Sequence, residues 1–310
     1  MLYVFWHKNP DTDAILSSMI YERFYKAGWY KGDIATIRLG NINNETAFAL
    51  KTIWWEAPIL QETVAAGSEV VLTDHNEKSQ TIDNIDELKI KSIIDHHKCT
   101  ITTSEPTEII IVPIASTCSV MYWLWKSMNL AIPQDVAKAM IMWIISDTLY
   151  FRSPTTTEYD KQITKELNDI AGFESLEKLS MDMFAAKSDL GDISVRNLIT
   201  LDYKIFETNG KKFGGWTIET TNPWYTLNRK DEIVMDLLAL KEEQHLDFIF
   251  LSVVDIINEH NTTIVPSDTD AAIIKALFDT DTTDNLTDLG NRISRKKQLA
   301  WPITDYFSKI

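Results

Sequence analysis

Four short segments of the chain combine acidic and histidine residues in a way that could bind metal ions. The first, HKNPDTD at residues 7–13, places one imidazole and two carboxylates close together. The second is DHNE at residues 74–77, and the third is DHHK at residues 95–98. In the fourth, ISDT at residues 145–148, Asp147 follows a long apolar run. Carboxylates and imidazoles together suit divalent ions such as Mn²⁺, Co²⁺, Mg²⁺ or Zn²⁺.

Each segment alone also has an ordinary structural interpretation. Asp11 or Asp13 could cap the start of a helix, and polar turns often contain Asp and His. Asp147 could likewise cap a neighbouring element. The two cysteines, Cys99 and Cys118, form no CxxC pair, which disfavours a structural zinc site.

The four segments together supply more candidate ligands than a single ion needs. Phosphoryl hydrolysis commonly uses two ions about 3.5–4 Å apart, with a carboxylate between them. We therefore expect a two-metal site that hydrolyses a phosphate compound.

The elements that would position these segments alternate between strands and helices. Such alternation predicts an α/β fold with a doubly wound, mainly parallel sheet. Ligands of such sheets bind beyond the carboxyl ends of the strands, where three of the four segments fall. The predicted strands are residues 2–6, 33–39, 69–73, 91–94 and 109–114, and the predicted helices between them are residues 13–27 and 45–54.

The sequence pattern changes in the second half of the chain, and this change indicates a second domain. Residues 116–187 show an almost entirely helical pattern, and Pro133 suits the first turn of a helix that ends near Ile145. We expect a first domain, which carries the four segments, at residues 1–187, a linker (SDLGD) at 188–192 and a smaller α/β domain at 193–310. The elements expected in the smaller domain are helices at residues 194–206, 230–243 and 269–278, and strands at 213–219, 248–254 and 262–265.

Composition narrows the possible partners and location. Hydrophobic residues make up 45% of 310 residues, which is enough for two packed cores. A net charge of −15 disfavours binding to long nucleic acid. The longest apolar run, residues 139–145, is too short to cross a membrane, and the N-terminus lacks a signal-peptide pattern. With two sparse cysteines that we interpret as free thiols, we expect a cytoplasmic protein.

In order and spacing, the four segments resemble the motifs of the DHH phosphoesterases. The fourth extends for this purpose to SDTLYFRSPTT at residues 146–156. The best match is the family II, manganese-dependent inorganic pyrophosphatases. LDYKIF at residues 201–206 resembles that family's second-domain lysine motif, and SRKKQ at 294–298 resembles its C-terminal signature. The likeness therefore spans nearly the whole chain.

The resemblance implies a metal-binding role for six residues. Two or more Mn²⁺ ions per subunit are expected, with Co²⁺ or Mg²⁺ as substitutes. Asp74 is expected to bridge two ions. The implied ligands are His7, Asp11 and Asp74 for the first ion, and Asp13, Asp74, His96 and Asp147 for the second.

The resemblance also implies an inorganic diphosphatase that cleaves pyrophosphate with a metal-activated water. His97 is expected to face the substrate and help protonate the leaving group, while Asp95 orients His96 or a neighbour. The second domain is expected to close over the substrate, and a homodimer is expected through the first domain. The implied catalytic residues are His97, Asp74, Lys204, Arg295 and Lys296.

Two departures from the family pattern and two rival functions stay open at this point. Trp6 stands where the family usually has Gly, and residues 265–268 (VPSD) lack an expected Gly. One rival is a related DHH phosphohydrolase that acts on short polyphosphate, and the other is a non-catalytic phosphate or nucleotide sensor. DHH phosphodiesterases usually carry a GGGH-like motif, whereas this chain has only GGW at residues 214–216. The basic run at 295–297 could also be a solvated tail.

Overall fold

The chain divides into two compact units, Met1–Ala186 and Lys187–Ile310. The helix Leu176–Ser188 runs through this boundary. The residues described by the computed structural model are 1–8, 12–28, 30, 32–201 and 203–309.

The first unit is built on six parallel strands in the spatial order β3-β2-β1-β4-β5-β6. The predicted doubly wound parallel sheet is thus confirmed, although the short strand β3 was not predicted. The strand order reverses between β1 and β4, the point at which such sheets bind ligands. The strands are β1 Leu2–Phe5, β2 Ile34–Arg38, β3 Ile59–Leu60, β4 Glu69–Thr73, β5 Lys89–Asp95 and β6 Glu108–Ile111.

Among the described residues of the first unit, six α-helices accompany this sheet, and side chains cap several of their first turns. Asn43, Ser116 and Thr157 accept hydrogen bonds from the backbone amides of α2, α3 and α5, respectively. The apolar run at 139–145 is buried within α4, which explains why it lacks a polar face. The helices are α1 Thr12–Ala27, α2 Asn44–Ile53, α3 Thr117–Ser127, α4 Gln134–Thr148, α5 Glu158–Ala171 and α6 Leu176–Ser188.

The second unit contains a mixed sheet in the order β11-β12-β10-β9-β8-β7. Only β8 and β9 are parallel, and the other pairs are antiparallel. Its strands are β7 Lys204–Thr208, β8 Lys211–Thr220, β9 Phe248–Asp255, β10 His260–Ile264, β11 Thr282–Thr283 and β12 Leu286–Gly290. Its helices are α7 Val195–Thr200, α8 Pro223–Leu227, α9 Lys230–Glu243, α10 Asp268–Phe278 and α11 Trp301–Ser308, with a π-helix at Arg295–Ala300.

One predicted helix of the second unit, residues 194–206, is wrong in its second half. Helix α7 ends at Thr200, and Lys204 begins strand β7 instead of lying on a helix. The cause is a hairpin, because β7 pairs with β8 around Asn209 and Gly210, which both have positive φ angles. An Asn-Gly turn of this kind favours a hairpin over a continuing helix.

The paired glycines of the second unit have a packing role. Gly215 lies in β8, and a Cβ added there would lie 2.6 Å from the ring of Phe250. Only glycine allows the strand to approach this ring so closely. Nothing in this environment requires a phosphate-binding role for the Gly214–Gly215 pair.

None of the helices in the described parts of the chain has both the length and the apolar character needed to cross a membrane.

Candidate metal centre

The acidic and histidine segments of the first unit meet at the carboxyl edge of its sheet. Asp74 directly follows β4, and Asp95 is the last residue of β5. His7 follows β1, which neighbours β4 at the point where the strand order reverses. Parallel strands place their carboxyl ends at one edge, so these side chains converge although they are distant in sequence.

Asp74 lies at the centre of this cluster and contacts three imidazoles. Its Oδ2 is 3.6 Å from Nε2 of His7, and its Oδ1 is 3.5 Å from Nε2 of His96 and 3.8 Å from Nδ1 of His97. The residue is 2% exposed and has a left-handed backbone, with φ of 59°. This conformation ends the strand abruptly and is typical of residues held at functional sites.

A second group of candidate ligands overlaps with the first through His96. Asp13, in the first turn of α1, has its Oδ2 3.8 Å from Nε2 of His96. Asp147, in the last turn of α4, joins them, and one ligand atom from each of the three lies within 4.8 Å of the others. Asp74, His96 and His97 form another group by the same criterion. The two groups have His96 in common, so they lie next to each other.

The carboxylates of the cluster have strongly altered acidities. Burial raises the pKa of Asp13 well above its usual value, and the nearby carboxylates of Asp147 and Asp74 raise it further. Burial would also raise the pKa of Asp74, but the interaction with His7 and the charges of His97 and His96 outweigh it and lower this pKa. The surroundings therefore favour the charged form of Asp74 and disfavour that of Asp13.

These residues fit divalent metal ions. The Oδ1 atom of Asp13 is buried and accepts no hydrogen bond from the residues that the structure describes. A cation would satisfy this oxygen and would offset the repulsion among the three carboxylates. Oxygen and imidazole donors without thiolate are the ligand set expected for Mn²⁺ or a similar ion.

Hydrogen bonds to the other ring nitrogens orient two of the imidazoles. Nδ1 of His96 lies 2.9 Å from the carbonyl oxygen of Ile114, so Nε2 is the nitrogen that faces Asp13 and Asp74. Nδ1 of His97 lies 2.8 Å from Oδ1 of Asp95, which leaves the His97 Nε2 for a ligand. Asp95 therefore orients the ring of His97, one of the alternatives that the sequence left open.

Asn76 is a supporting residue to which the sequence analysis gave no role. Its amide nitrogen donates to Oδ2 of Asp95 at 2.6 Å, and its amide oxygen accepts from the backbone nitrogen of Thr100 at 2.6 Å. It therefore joins the loop after β4 to the loop after β5 and fixes Asp95 behind His97. Its position in the DHNE segment indicates that it lies near the site, but an asparagine side chain alone does not indicate which residue it binds.

Thr117 is a second supporting residue that the sequence analysis missed. Its hydroxyl donates to Oδ1 of Asp74 at 2.9 Å, and its backbone amide donates to Oδ2 of Asp13 at 3.0 Å. It is the first residue of α3, where amide groups are available to bind acceptors. No acidic or histidine residue adjoins it in the sequence, so only the fold reveals this link.

The segment after Asp147 has an unusual backbone. Leu149, Tyr150 and Phe151 are consecutive non-glycine residues with positive φ angles of 49°, 52° and 67°. Each costs free energy on the order of 1 kcal/mol, and such strain is often found beside functional sites. The turn ends α4 immediately after its candidate ligand.

Four further residues were predicted for the site, namely Asp11, Lys204, Arg295 and Lys296. Asp11 falls outside the described residues. Lys204, Arg295 and Lys296 belong to the second unit, where Lys204 begins β7 and the other two begin the π-helix. This π-helix is not a solvated tail, because Leu299 is 1% exposed within the apolar core of the second unit.

The two departures noted in the sequence are accommodated by the fold. Trp6 is fully buried in the first unit, directly before His7. Ser267 caps α10, and its side chain accepts a hydrogen bond from the backbone nitrogen of Asp270. Neither residue removes a candidate ligand.

Two family models match successive parts of the chain. Residues 1–144 match the family model for the N-terminal domain of the DHH family. Residues 181–306 match the model for the DHHA2 domain. The two matches follow each other along the chain, and the first includes all the candidate ligands except Asp147.

Individual relatives match the chain along its whole length. A protein of Deinococcus radiodurans, named "probable manganese-dependent inorganic pyrophosphatase", is 40% identical, with 99% of each chain covered. The manganese-dependent inorganic pyrophosphatase of Methanocaldococcus jannaschii is 35% identical, with 98% of each chain covered. The crystal structure of a Methanococcus jannaschii protein, named "putative family II inorganic pyrophosphatase", superposes with a TM-score of 0.87 at 34% identity, and 98% of this chain and 99% of that chain are covered.

The contacts of Thr117 lead to a testable prediction. Replacing it in Thr117→Val keeps the shape and the backbone amide but removes the hydroxyl that holds Asp74. We expect Mn²⁺ affinity to fall about 10–100-fold, as is usual for residues that orient metal ligands. Thr117→Ser keeps the hydroxyl and serves as the matched control. Mn²⁺ titration followed by calorimetry measures both, and a Val variant that binds like wild type would show that this contact is unimportant.

Proposed function

Because the chain belongs to the family II, manganese-dependent inorganic pyrophosphatases of the DHH superfamily, we propose that it hydrolyses inorganic pyrophosphate to two phosphates at its candidate metal centre. The observation that carries this proposal is the convergence of Asp74 with three imidazoles and two further carboxylates at one sheet edge. Manganese is the metal named for the relatives, and the ligand set suits it.

Asp74 is the residue best placed to contact two ions at once. Its two oxygens face different partners, since Oδ2 lies near His7 while Oδ1 lies near His96. We assign His7, Asp11 and Asp74 to one ion, and Asp13, Asp74, His96 and Asp147 to the other. When bound, two such ions offset the charge of pyrophosphate and activate a water for attack.

His97 is proposed to serve the substrate and not to bind metal. Asp95 accepts a hydrogen bond from its Nδ1, so Nε2 points away from Asp95 and, when the ring is in its imidazolium form, can donate its proton to the departing phosphate. The side chain is 27% exposed, compared with 11% for His96, which suits contact with a substrate that enters from solvent.

Lys204, Arg295 and Lys296 are proposed to bind the phosphate groups. Pyrophosphate is a small anion and the chain has a net charge of −15, so local basic groups are needed to hold it. Arg295 and Lys296 are half-buried on a helix anchored by Leu299, which gives them a defined position. We further propose that the second unit is the substrate-binding domain and that it closes over the substrate.

The assembly and location of the protein are also proposals. We infer a homodimer formed through the N-terminal unit, as the family resemblance implies, and light scattering after gel filtration tests its mass. A cytoplasmic location is supported by Cys99 and Cys118, which are both free thiols in the structure.

The first test of the function measures metal dependence and substrate choice. We expect complete metal removal to abolish phosphate release from pyrophosphate, and Mn²⁺ or Co²⁺ to restore it. Pyrophosphate should be cleaved faster than tripolyphosphate or a nucleotide under the same conditions. Full activity after exhaustive metal removal, or a clear preference for tripolyphosphate, would contradict the proposal.

A second test separates the role of Asp95 from that of the metal ligands. In Asp95→Asn one of the two accepting oxygens becomes an NH2 group, which must face either the donor amide of Asn76 or the donors of His97, so the hold on the ring is disturbed. We expect kcat to fall about 10–100-fold while the bound Mn²⁺ stays at the wild-type content. Steady-state kinetics and elemental analysis measure the two quantities. If the variant loses bound Mn²⁺ but keeps the wild-type kcat per bound ion, Asp95 is a metal ligand and does not act by orienting His97.

A third test addresses the basic residues of the π-helix. Arg295→Ala should raise KM and lower kcat together, because a guanidinium can bind phosphate with two hydrogen bonds that strengthen as charge develops. Arg295→Lys should recover only part of the loss, since an ammonium lacks this paired geometry. The exposed neighbour Lys297 provides the matched control, and Lys297→Ala should resemble wild type. Wild-type kinetics for Arg295→Ala would exclude its proposed role.

A further inference from the structure

Glu45 is a buried carboxylate near the metal centre that has no part in the proposed chemistry. It lies in the first turn of α2 and is 1% exposed. Its Oε2 accepts a hydrogen bond from the Thr12 hydroxyl at 2.9 Å and another from the Ser146 hydroxyl at 2.8 Å. One oxygen atom therefore connects the start of α1 with the end of α4.

The two hydroxyls each adjoin a candidate ligand of the same metal ion. Thr12 directly precedes Asp13, and Ser146 directly precedes Asp147. Asp13 and Asp147 form, with His96, one of the two candidate metal-binding groups. Glu45 itself is not a member of either group. Glu45 therefore influences the positions of these ligands indirectly, through the residue that precedes each of them in the chain.

Two physical considerations give these contacts weight. A buried carboxylate is costly unless it is well hydrogen-bonded, so it holds its donors firmly. Without a cation, Asp13 and Asp147 repel each other and would tend to separate. A link between the helices that carry them opposes this separation. Both hydroxyl donors are themselves buried, with Thr12 at 0% and Ser146 at 6% exposure, so water competes little for the bonds.

We propose that Glu45 is a positioning residue that holds Asp13 and Asp147 at the spacing required by one divalent ion, without contacting the ion itself. This inference rests on the metal centre of the proposed function and adds a specific consequence. Disturbing Glu45 weakens the binding of the ion that is held by Asp13, His96 and Asp147. The other ion, assigned to His7 and Asp74, is retained.

The test counts tightly bound Mn²⁺ by elemental analysis after gel filtration of the loaded protein. Wild type should retain two ions per chain and Glu45→Ala one. Glu45→Gln should retain two, because an amide oxygen can accept both hydrogen bonds. Asp160→Ala is the matched control, since Asp160 is also a fully buried acid and accepts from Ser119 and Thr157. It should lower stability and still retain two ions.

Each alternative result has a defined meaning. Two retained ions in Glu45→Ala, or equal loss of both, would overturn the inference, as would a Gln variant that behaves like Ala. If Glu45→Ala does not fold, Ser146→Ala decides, because it removes one of the two donors and leaves the carboxylate in place. We expect it to bind one Mn²⁺ about 10–100-fold more weakly, and wild-type affinity at both sites would overturn the inference. A wild-type protein that retains fewer than two ions would refute the two-metal function itself.

Discussion

Repulsion among buried carboxylates is the constraint that organises the N-terminal unit. Asp13 and Asp74 are 1% and 2% exposed, and with Asp147 they share a small region at the edge of the sheet. Two unit charges 4 Å apart in such surroundings repel each other by about 4 kcal/mol. The raised pKa of Asp13 reflects its burial and the charges of Asp147 and Asp74. A fold that tolerates this arrangement must supply compensating partners, and divalent cations are the strongest of these.

Besides metal ions, several elements of the fold supply groups that compensate the buried carboxylates. The parallel sheet brings His7 and His96 to Asp74, and the start of α3 adds the hydroxyl and amide of Thr117. Asn76 and Asp95 then fix the ring of His97 beside the same carboxylate. The site is thus prepared before substrate arrives, and metal ions complete its charge balance. This organisation explains how an acidic protein can act on a strongly anionic substrate.

Much of the first unit could be predicted from the sequence, because its strands are apolar and the polar segments follow them directly. Strand β4 has the predicted bounds, Glu69–Thr73. The supporting residues Thr117 and Glu45 could not be predicted, since their partners lie far away in sequence and their residue types are common at helix starts. The local pattern of residues 194–206 predicts a helix through Lys204, but the Asn209–Gly210 turn joins this segment to β8 in a hairpin. The catalytic roles assigned to individual residues stay predictions.

The central claim is that the carboxylate of Asp74 lies between two metal ions at the edge of the sheet. Anomalous X-ray diffraction from crystals soaked in Mn²⁺, recorded at the manganese edge, tests this claim most directly. We expect two anomalous peaks in each chain, about 3.5–4 Å apart, on either side of the Asp74 carboxylate. A single peak, or peaks that do not involve Asp74, would contradict it.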